Sequence, residues 1–216
     1  MASARRSRIY VIAGVNGAGK SSIGGAAFRE LGAEYYNPDE AARRMLGRNP
    51  ALSQADANSA AWHQGVRLLR RAIVERKDFA FETTLGANTI PRMLQEAAAQ
   101  GIEIFVWYVG LASVQVHIDR VAARVRRGGH AIGRDLIEHR FEQSRINLIE
   151  LMPHLTELRV YDNSVDADPA SGKTPEPKLL LHMKRGAILN LHELKNTPDW
   201  AKPIVSTALK LHKARR

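Results

Sequence analysis

Gly-Val-Asn-Gly-Ala-Gly-Lys-Ser occupies residues 14–21 and is the most informative segment of the chain. It matches the pattern G-x-x-x-x-G-K-[ST] without a mismatch. Glycines in such a loop allow the backbone to curl, so that several N–H groups point at a bound phosphate, and the next helix adds its positive N-terminus. An apolar run, 9–13, precedes the segment, and a helix over 21–31 is predicted to follow it. This strand–loop–helix context is the one that a phosphate-binding loop (P-loop) requires.

The loop predicts contacts with a nucleoside triphosphate and with Mg²⁺. Lys20 is expected to reach the β- and γ-phosphates, and the hydroxyl of Ser21 is expected to bind Mg²⁺. No N-K-x-D motif for guanine is found, so ATP and Mg²⁺ are the expected cofactors. The residues expected to hold the nucleotide are Gly14, Asn16, Gly17, Ala18, Gly19, Lys20, Ser21 and Ser22.

The rest of the chain alternates apolar runs with helical patterns. Strands are predicted over 9–13, 79–83, 102–109 and 158–161, and helices over 53–76, 90–100, 113–127 and 135–151. Such alternation with short connections implies a parallel sheet covered on both faces. We therefore predict a three-layer α/β/α P-loop NTPase fold with a mostly parallel sheet and an arginine-rich helical lid.

Domain boundaries are predicted from composition. We expect a core over 1–165, with the lid at about 113–150, and a C-terminal appendage over 166–216 packed on the same domain. The appendage begins with a predicted surface loop, 166–177, which is followed by a predicted edge strand, 178–184. Trp200 is interpreted either as part of a core patch or as part of a partner surface.

Composition limits the class of protein and its partners. The 216 residues carry a net charge of +10 with a pI of about 10.2, which suits a phosphorylated small molecule or nucleic acid. The absence of cysteine excludes disulfides and thiolate metal sites. No apolar run reaches the roughly 18–20 residues that span a bilayer. We expect a cytoplasmic protein without a membrane partner.

Two acidic residues beyond the loop favour a small-molecule kinase. Asp39 follows a predicted turn at 37–39, where a carboxylate can accept the proton of an attacking hydroxyl or can merely cap a helix. Glu82 lies near the end of the buried run 79–83, at the edge where α/β sheets bind ligands. Both carboxylates are therefore expected to face one crevice.

Arginines surround a pair of glycines between residues 120 and 140. Arg120, Arg124 and Arg127 share one helix face by their spacing, and the adjacent Gly128 and Gly129 supply a hinge. A hinged cationic hairpin is typical of a kinase lid, which closes over the phosphates and excludes water. The alternative is an ordinary solvated basic helix surface.

Together these segments resemble the short, stand-alone form of the zeta-toxin group of P-loop kinases. The resemblance runs in order over about residues 8–164. It rests on Gly-Val-Asn-Gly-Ala-Gly-Lys-Ser (14–21), Asn-Pro-Asp (37–39), Phe-Glu-Thr-Thr-Leu (81–85), Arg-Val-Arg-Arg-Gly-Gly-His (124–130) and Tyr-Asp-Asn-Ser (161–164). It implies transfer of the γ-phosphoryl group to a sugar hydroxyl of a UDP-N-acetylamino sugar. It also implies a toxin–antitoxin system, with an antitoxin protein as a partner.

The resemblance also implies roles for single residues. Asp39 would be the general base, and Glu82 and Thr84 would contact the substrate sugar or its diphosphate. Lys20 and the lid arginines would stabilise the transferring phosphate. Among the lid residues, the implied catalytic arginines are Arg124 and Arg140, with Arg127 or Arg134 as alternatives. Arg127 is otherwise assigned to the nucleotide and Arg134 to the substrate. His130 either contacts the substrate or caps a lid helix.

Two positions depart from the family's pattern. The arginine that the toxins carry two residues after the threonine matched by Thr84 is replaced by Gly86, and Gly128-Gly129-His130 is a rearranged lid sequence. Both fall on substrate-facing parts, so phosphoryl transfer is better supported than a UDP-sugar acceptor.

Two other interpretations stay open. The net charge of +10 favours a nucleic-acid-directed P-loop protein, either a polynucleotide kinase or an ATP-switched regulator. The concentration of arginines in one lid argues against it, so nucleic acid is not the expected partner. The other interpretation is a nucleotide binder without turnover.

Overall fold

The computed structural model describes residues 6–24, 33–165 and 176–215 of the chain. Within these residues one seven-stranded sheet is formed by β1 (Arg8–Ala13), β2 (Glu34–Tyr36), β3 (Phe79–Thr83), β4 (Glu103–Gly110), β5 (Glu157–Asp162), β6 (Lys178–Lys184) and β7 (Ala187–Leu191). The strands lie in the order β2-β3-β1-β4-β5-β6-β7. The first five pair in parallel, and β6 and β7 add to the sheet in antiparallel fashion. The prediction of a mostly parallel sheet is confirmed.

Helices connect these strands. The helices of the described residues are α1 (Lys20–Ile23), α2 (Pro38–Arg48), α3 (Gln54–Val74), α4 (Thr89–Ala99), α5 (Val114–Arg126), α6 (Arg134–Leu151) and α7 (Lys202–Lys213), with short 3₁₀ turns at Met152–His154, Leu194–Asn196 and Asp199–Ala201. No helix in this set is both long and apolar enough to cross a membrane. The predicted helix over 21–31 corresponds to α1, and residues 25–31 of that prediction lie outside the described part of the chain.

Side chains at three helix starts satisfy the free N–H groups of the first turn. The Asn37 side chain accepts hydrogen bonds from the backbone N–H of Asp39 at 2.9 Å and of Glu40 at 3.2 Å, and so caps α2. Ser53 caps α3 as predicted, and Ser113 caps α5. The entry to α2 thus depends on Asn37 and leaves the side chain of Asp39 available for another contact.

The central strand β1 is buried on both faces of the sheet. Ile9 and Val11 pack into the main core with residues of α3, α4, α6 and α7. Ile12 faces the opposite side, where Tyr10 and Trp107 pack beside it. A strand buried on both faces is expected at the middle of a parallel sheet, and the predicted three-layer α/β/α P-loop fold is confirmed.

The topology brings the ends of three strands to one edge. β1 lies between β3 and β4 and runs parallel to both, with Ala13 opposite Thr83 on one side and Tyr108 on the other. The loop after Ala13 therefore leaves the sheet between the segments that follow β3 and β4. This carboxyl edge is where open α/β sheets bind ligands.

The C-terminal segment extends the same sheet. The prediction that Lys178–Lys184 is an edge strand is wrong, because β6 lies between β5 and β7 and β7 forms the edge. Sequence patterns missed β7, which follows β6 after a two-residue turn with Arg185 at φ 46° and Gly186 at φ 78°. Trp200 is 3% exposed and lies in the core. Residues 166–175 of the predicted surface loop lie outside the described residues.

Packing between Trp200 and the end of β4 yields a stability prediction. A Cβ atom added to Gly110 would lie 2.4 Å from the Trp200 ring, so Gly110→Ala should lower the free energy of unfolding by about 1–3 kcal/mol. Gly47 in α2 is the matched control, because nothing lies within 4 Å of its added Cβ. Gly47→Ala should raise stability by about 0.5–1 kcal/mol. Urea unfolding followed by circular dichroism measures both, and shifts of the same sign would contradict this packing.

Candidate active site

The P-loop passes close to neighbouring backbone at its glycines. Gly14 has φ 142°, and a Cβ there would lie 2.2 Å from the carbonyl oxygen of Val109 in β4. Gly17 and Gly19 both have φ 84°, a left-handed conformation that favours glycine. The side-chain amide of Asn163 donates to the Ala18 carbonyl at 2.9 Å, which joins the segment 161–164 to the loop.

Lys20 lies at the start of α1 and reaches back across its own loop. Its Nζ donates to the carbonyl oxygen of Gly14 at 2.8 Å. Burial lowers the pKa of Lys20, while the carboxylates of Glu82 and Asp39 raise it and the guanidinium groups of Arg140 and Arg124 lower it. These four side chains were predicted at the reaction centre or at the substrate, and all lie within electrostatic range of this lysine.

Glu82 is hydrogen-bonded to Ser21 at the edge of the loop. The Ser21 hydroxyl donates to Glu82 Oε2 at 3.0 Å, and the Tyr35 hydroxyl donates to Oε1. Glu82 is 5% exposed. A serine hydroxyl beside a buried carboxylate offers the hard oxygen ligands that Mg²⁺ binds together with water and nucleotide phosphates. These two residues therefore fit the metal that the loop motif implies.

A cavity of about 510 Å³ opens beside the loop, between the end of β3, the helices α2 and α3, and the lid. Five residues predicted at the reaction centre or the substrate line it, namely Asp39, Glu82, Thr84, His130 and Arg140. The loop residue Asn16 lines it as well, so the cavity adjoins the P-loop. This arrangement can place a small molecule directly beside a bound nucleotide.

The lid is the hairpin of α5, residues 127–133 and α6. Arg124 donates through Nη2 to the carbonyl oxygen of His130 at 3.3 Å, and its Nη1 lies 3.7 Å from Asp39 Oδ2. Burial lowers the pKa of His130, and Asp39 partly opposes this effect. Arg124 thus connects the turn of the lid with the carboxylate of Asp39.

Arg140 contributes a second lid cation. Its Nη1 donates to Asn16 Oδ1 at 2.7 Å, and burial lowers its pKa. A Cβ atom on Gly86 would lie 2.7 Å from Arg140 Cγ, so the side chain of Arg140 fills the space beside this glycine. The structure therefore gives a packing reason for glycine at the position where the toxins carry arginine.

The structure does not bring two of the predicted lid arginines to the cavity. Arg134 bonds Glu138 at 2.8 Å, with 62% of its side chain exposed, and lines a separate surface hollow. Arg127 is exposed at the C-terminal end of α5. Their contacts with nucleotide and substrate stay predictions.

His117 supports the loop from α5 and was not predicted. It is 1% exposed, and its Nδ1 lies 2.8 Å from the backbone carbonyl oxygen of Asn16, to which it must donate. Burial lowers the pKa of His117 to about 4, so the ring is neutral at neutral pH. Nothing in the sequence pattern of α5 distinguishes this histidine from an ordinary core residue, since its partner is 101 positions away.

Asn147 of α6 holds the segment after β3. Its amide donates to the Leu85 carbonyl at 2.7 Å and to the Ala87 carbonyl at 3.4 Å. Leu85 has φ 55°, a conformation that is costly for a leucine and that persists only when surrounding contacts fix it. The strained residue follows Thr84 directly, so Asn147 helps to position that side of the cavity.

These features describe a P-loop protein with the architecture of the nucleotide-kinase-like group. The chain belongs to the AAA domain family AAA_33, whose model matches residues 9–148. An uncharacterized protein of Haemophilus influenzae is 30% identical over 129 residues, which are 59% of this chain and 88% of that protein.

Two solved structures share the fold. The complex AvrRxo1-ORF1:-ORF2 with ATP matches with a TM-score of 0.67 and 13% identity over 95% of this chain, which spans 64% of that chain's length. The PezAT chromosomal toxin–antitoxin system of Streptococcus pneumoniae matches with a TM-score of 0.53 and 12% identity, covering 99% of this chain and 87% of that chain. At such low identity these likenesses establish the fold.

The buried His117 predicts how stability depends on pH. An ordinary histidine titrates near 6.5 and His117 near 4, so between these values the unfolded chain binds a proton that the folded chain does not. Stability should therefore fall as the pH drops from 6.5 to 4, by up to about 3 kcal/mol from this group. His117→Asn keeps an amide donor near the Nδ1 position and does not titrate, so its stability should depend less on pH.

Urea unfolding at pH 7 and pH 5 measures this difference. The exposed His63 provides the control, and His63→Asn should leave the pH dependence close to that of the wild type. Equal acid sensitivity of the wild type and His117→Asn would show that His117 is not the source.

Proposed function

We propose that this protein is an ATP-dependent small-molecule kinase that transfers the γ-phosphoryl group to a sugar hydroxyl. The observation that supports this most directly is the position of Asp39, whose carboxylate lines a cavity adjoining the P-loop. Asn37 caps α2, so the side chain of Asp39 is not needed for that purpose. The same cavity is lined by Arg140, and Lys20 interacts electrostatically with both residues.

The proposed reaction assigns one task to each group. Asp39 takes the proton of the acceptor hydroxyl as its oxygen attacks the γ-phosphorus; the new O–P bond forms while the bond to the β-phosphate oxygen breaks, and ADP leaves. Lys20, Arg124 and Arg140 neutralise the charge on the transferring group. Ser21 and Glu82 would hold Mg²⁺, which supplies further charge neutralisation at the phosphates.

The finer assignments rest on the resemblance to zeta toxins. A UDP-N-acetylamino sugar is the acceptor that this resemblance implies, with Thr84 and His130 lining the cavity on the substrate side. The fold likeness to the PezAT toxin–antitoxin system supports an antitoxin protein as a partner, and the likeness to the AvrRxo1-ORF1:-ORF2 complex supports a protein partner in general. A cytoplasmic location stays part of the proposal.

The net charge of +10 favours a second candidate, a nucleic-acid-directed P-loop protein. Binding to random single-stranded oligonucleotides at increasing salt separates the two, because each phosphate contact releases counterions and steepens the salt dependence. Tight binding with a steep slope supports the second candidate, whereas weak binding together with small-molecule phosphorylation supports the kinase.

An acceptor screen tests the main proposal. Purified protein is incubated with ATP, Mg²⁺ and panels of UDP-sugars, nucleosides and free sugars, and products are detected by mass spectrometry. A gain of one phosphoryl group on an acceptor is expected. Nucleotide binding without phosphorylation of any acceptor and without ATP consumption would instead support a binder without turnover.

Substitution of Asp39 separates chemistry from binding. Asp39→Asn should retain ATP binding and lose about 10²–10⁴-fold in kcat, the usual contribution of general base catalysis. Lys20→Ala should weaken ATP binding itself, because it removes a cation from the β- and γ-phosphates. Isothermal titration with ATP and steady-state kinetics measure these effects, and full activity of Asp39→Asn would place the base elsewhere.

The contact between Gly86 and Arg140 gives an independent prediction. Gly86→Ala should displace Arg140 from Asn16 and lower kcat roughly tenfold or more, since a small misplacement of a charged group weakens transition-state stabilisation. Gly47→Ala in α2 is the control, because nothing lies within 4 Å of its added Cβ and Gly47 does not line the cavity. Comparable kcat values for both variants would contradict a role for the position of Arg140.

A further inference from the structure

The cavity has an apolar wall that the proposed chemistry does not use. The residues that line it include Trp62 and Val66 of α3, Ile90 of α4, and Ile132 and Leu136 of the lid. None of these residues belongs to the sequence motifs. They come from three separate elements that the fold brings around one space.

Two of these side chains are unusually exposed for their size. Trp62 is 40% exposed and Leu136 is 43% exposed, although both line the cavity. The ring of the exposed His63 meets the Trp62 indole at a centroid distance of 4.8 Å and an angle of 75°. Aromatic side chains offer a flat surface on which another ring can stack, and large apolar groups exposed at a concave site mark ligand contacts.

The charges that line the cavity do not suit a doubly negative group. Asp39 and Glu82 supply two carboxylates, and Arg140 supplies one cation that already bonds Asn16. Burial lowers the pKa of His130, which disfavours its charged form. Gly86 is closely packed against Arg140, so this position cannot carry a further cation without displacing it. A diphosphate in this space would face two carboxylates and one guanidinium group, and it would lose its hydration.

We propose that the acceptor is an uncharged hydroxyl compound with a planar aromatic ring, of the nucleoside class. Its ring packs between Trp62 and the apolar lid residues, and its sugar hydroxyl points to Asp39. This inference rests on the proposed kinase function and narrows its acceptor. It disfavours the nucleoside diphosphate sugars that the family resemblance implies.

A binding experiment tests the ring contact without turnover. The full chain is saturated with a non-hydrolysable ATP analogue and Mg²⁺ so that the nucleotide site is filled, and adenosine, guanosine, cytidine and uridine are titrated calorimetrically. Ribose serves as the probe without a ring, and UDP-N-acetylglucosamine as the probe with a ring and a diphosphate. At least one nucleoside should bind more tightly than either of these two probes.

Variants of α3 assign the contact. Trp62→Ala should weaken nucleoside binding about 5- to 100-fold, the range expected for loss of one stacking ring, whereas Trp62→Phe should stay near the wild-type affinity. Val74→Ala on the same helix is the control, since Val74 is 76% exposed and does not line the cavity. Melting temperatures of all three show whether each variant is folded.

The outcomes separate this inference from the kinase proposal. Preferential binding and phosphorylation of UDP-N-acetylglucosamine would overturn the inference and leave the kinase intact. Unchanged nucleoside affinity in a folded Trp62→Ala variant, or no nucleoside binding at all, would also overturn it. Nucleoside binding that depends on Trp62, with no phosphorylation of any compound, would support the site and refute the kinase.

Discussion

Asn16 joins the P-loop to both helices of the lid. Its backbone carbonyl accepts from His117 of α5, and its side-chain oxygen accepts from Arg140 of α6. Both bonds lie in buried or half-buried surroundings, where hydrogen bonds are electrostatically stronger than in water. Asn16 therefore fixes the loop directly to both helices of the lid. A neutral His117 is part of this arrangement, because a charged ring beside Lys20 and Arg120 would be repelled.

Close packing at two glycines determines where the lid cations lie. Gly86 admits the side chain of Arg140, and Gly129 lies against Arg124, whose Cγ would be 2.7 Å from an added Cβ. A larger residue at position 86 would push the guanidinium group of Arg140 away from Asn16. A larger residue at position 129 would push that of Arg124 away from Asp39. The departures from the toxin pattern at Gly86 and Gly129 thus have a steric consequence that the sequence comparison could not show.

Local patterns were sufficient for most of the fold and for part of the site. The strands over 9–13, 79–83, 102–109 and 158–161 are present to within one residue at each end, because buried runs and flanking turns specify them locally. β2, with three residues, is too short for a period to be recognised. His117, Asn147 and Trp62 were missed because their roles depend on partners distant in the chain or on a cavity that only the folded chain forms.

The net charge of the chain and the charged groups around Lys20 favour different kinds of ligand. The net charge of +10 describes the whole surface and favours association with polyanions in general. The surroundings of Lys20 are mixed, with Asp39 and Glu82 beside Arg124 and Arg140. A polyanion-binding groove gains nothing from such carboxylates, which repel phosphates. A phosphoryl-transfer site needs them, because one carboxylate must receive a proton and another can hold a metal ion while the cations face the phosphates. The carboxylates beside the P-loop, more than the arginines of the lid, therefore favour phosphoryl transfer over simple nucleotide binding.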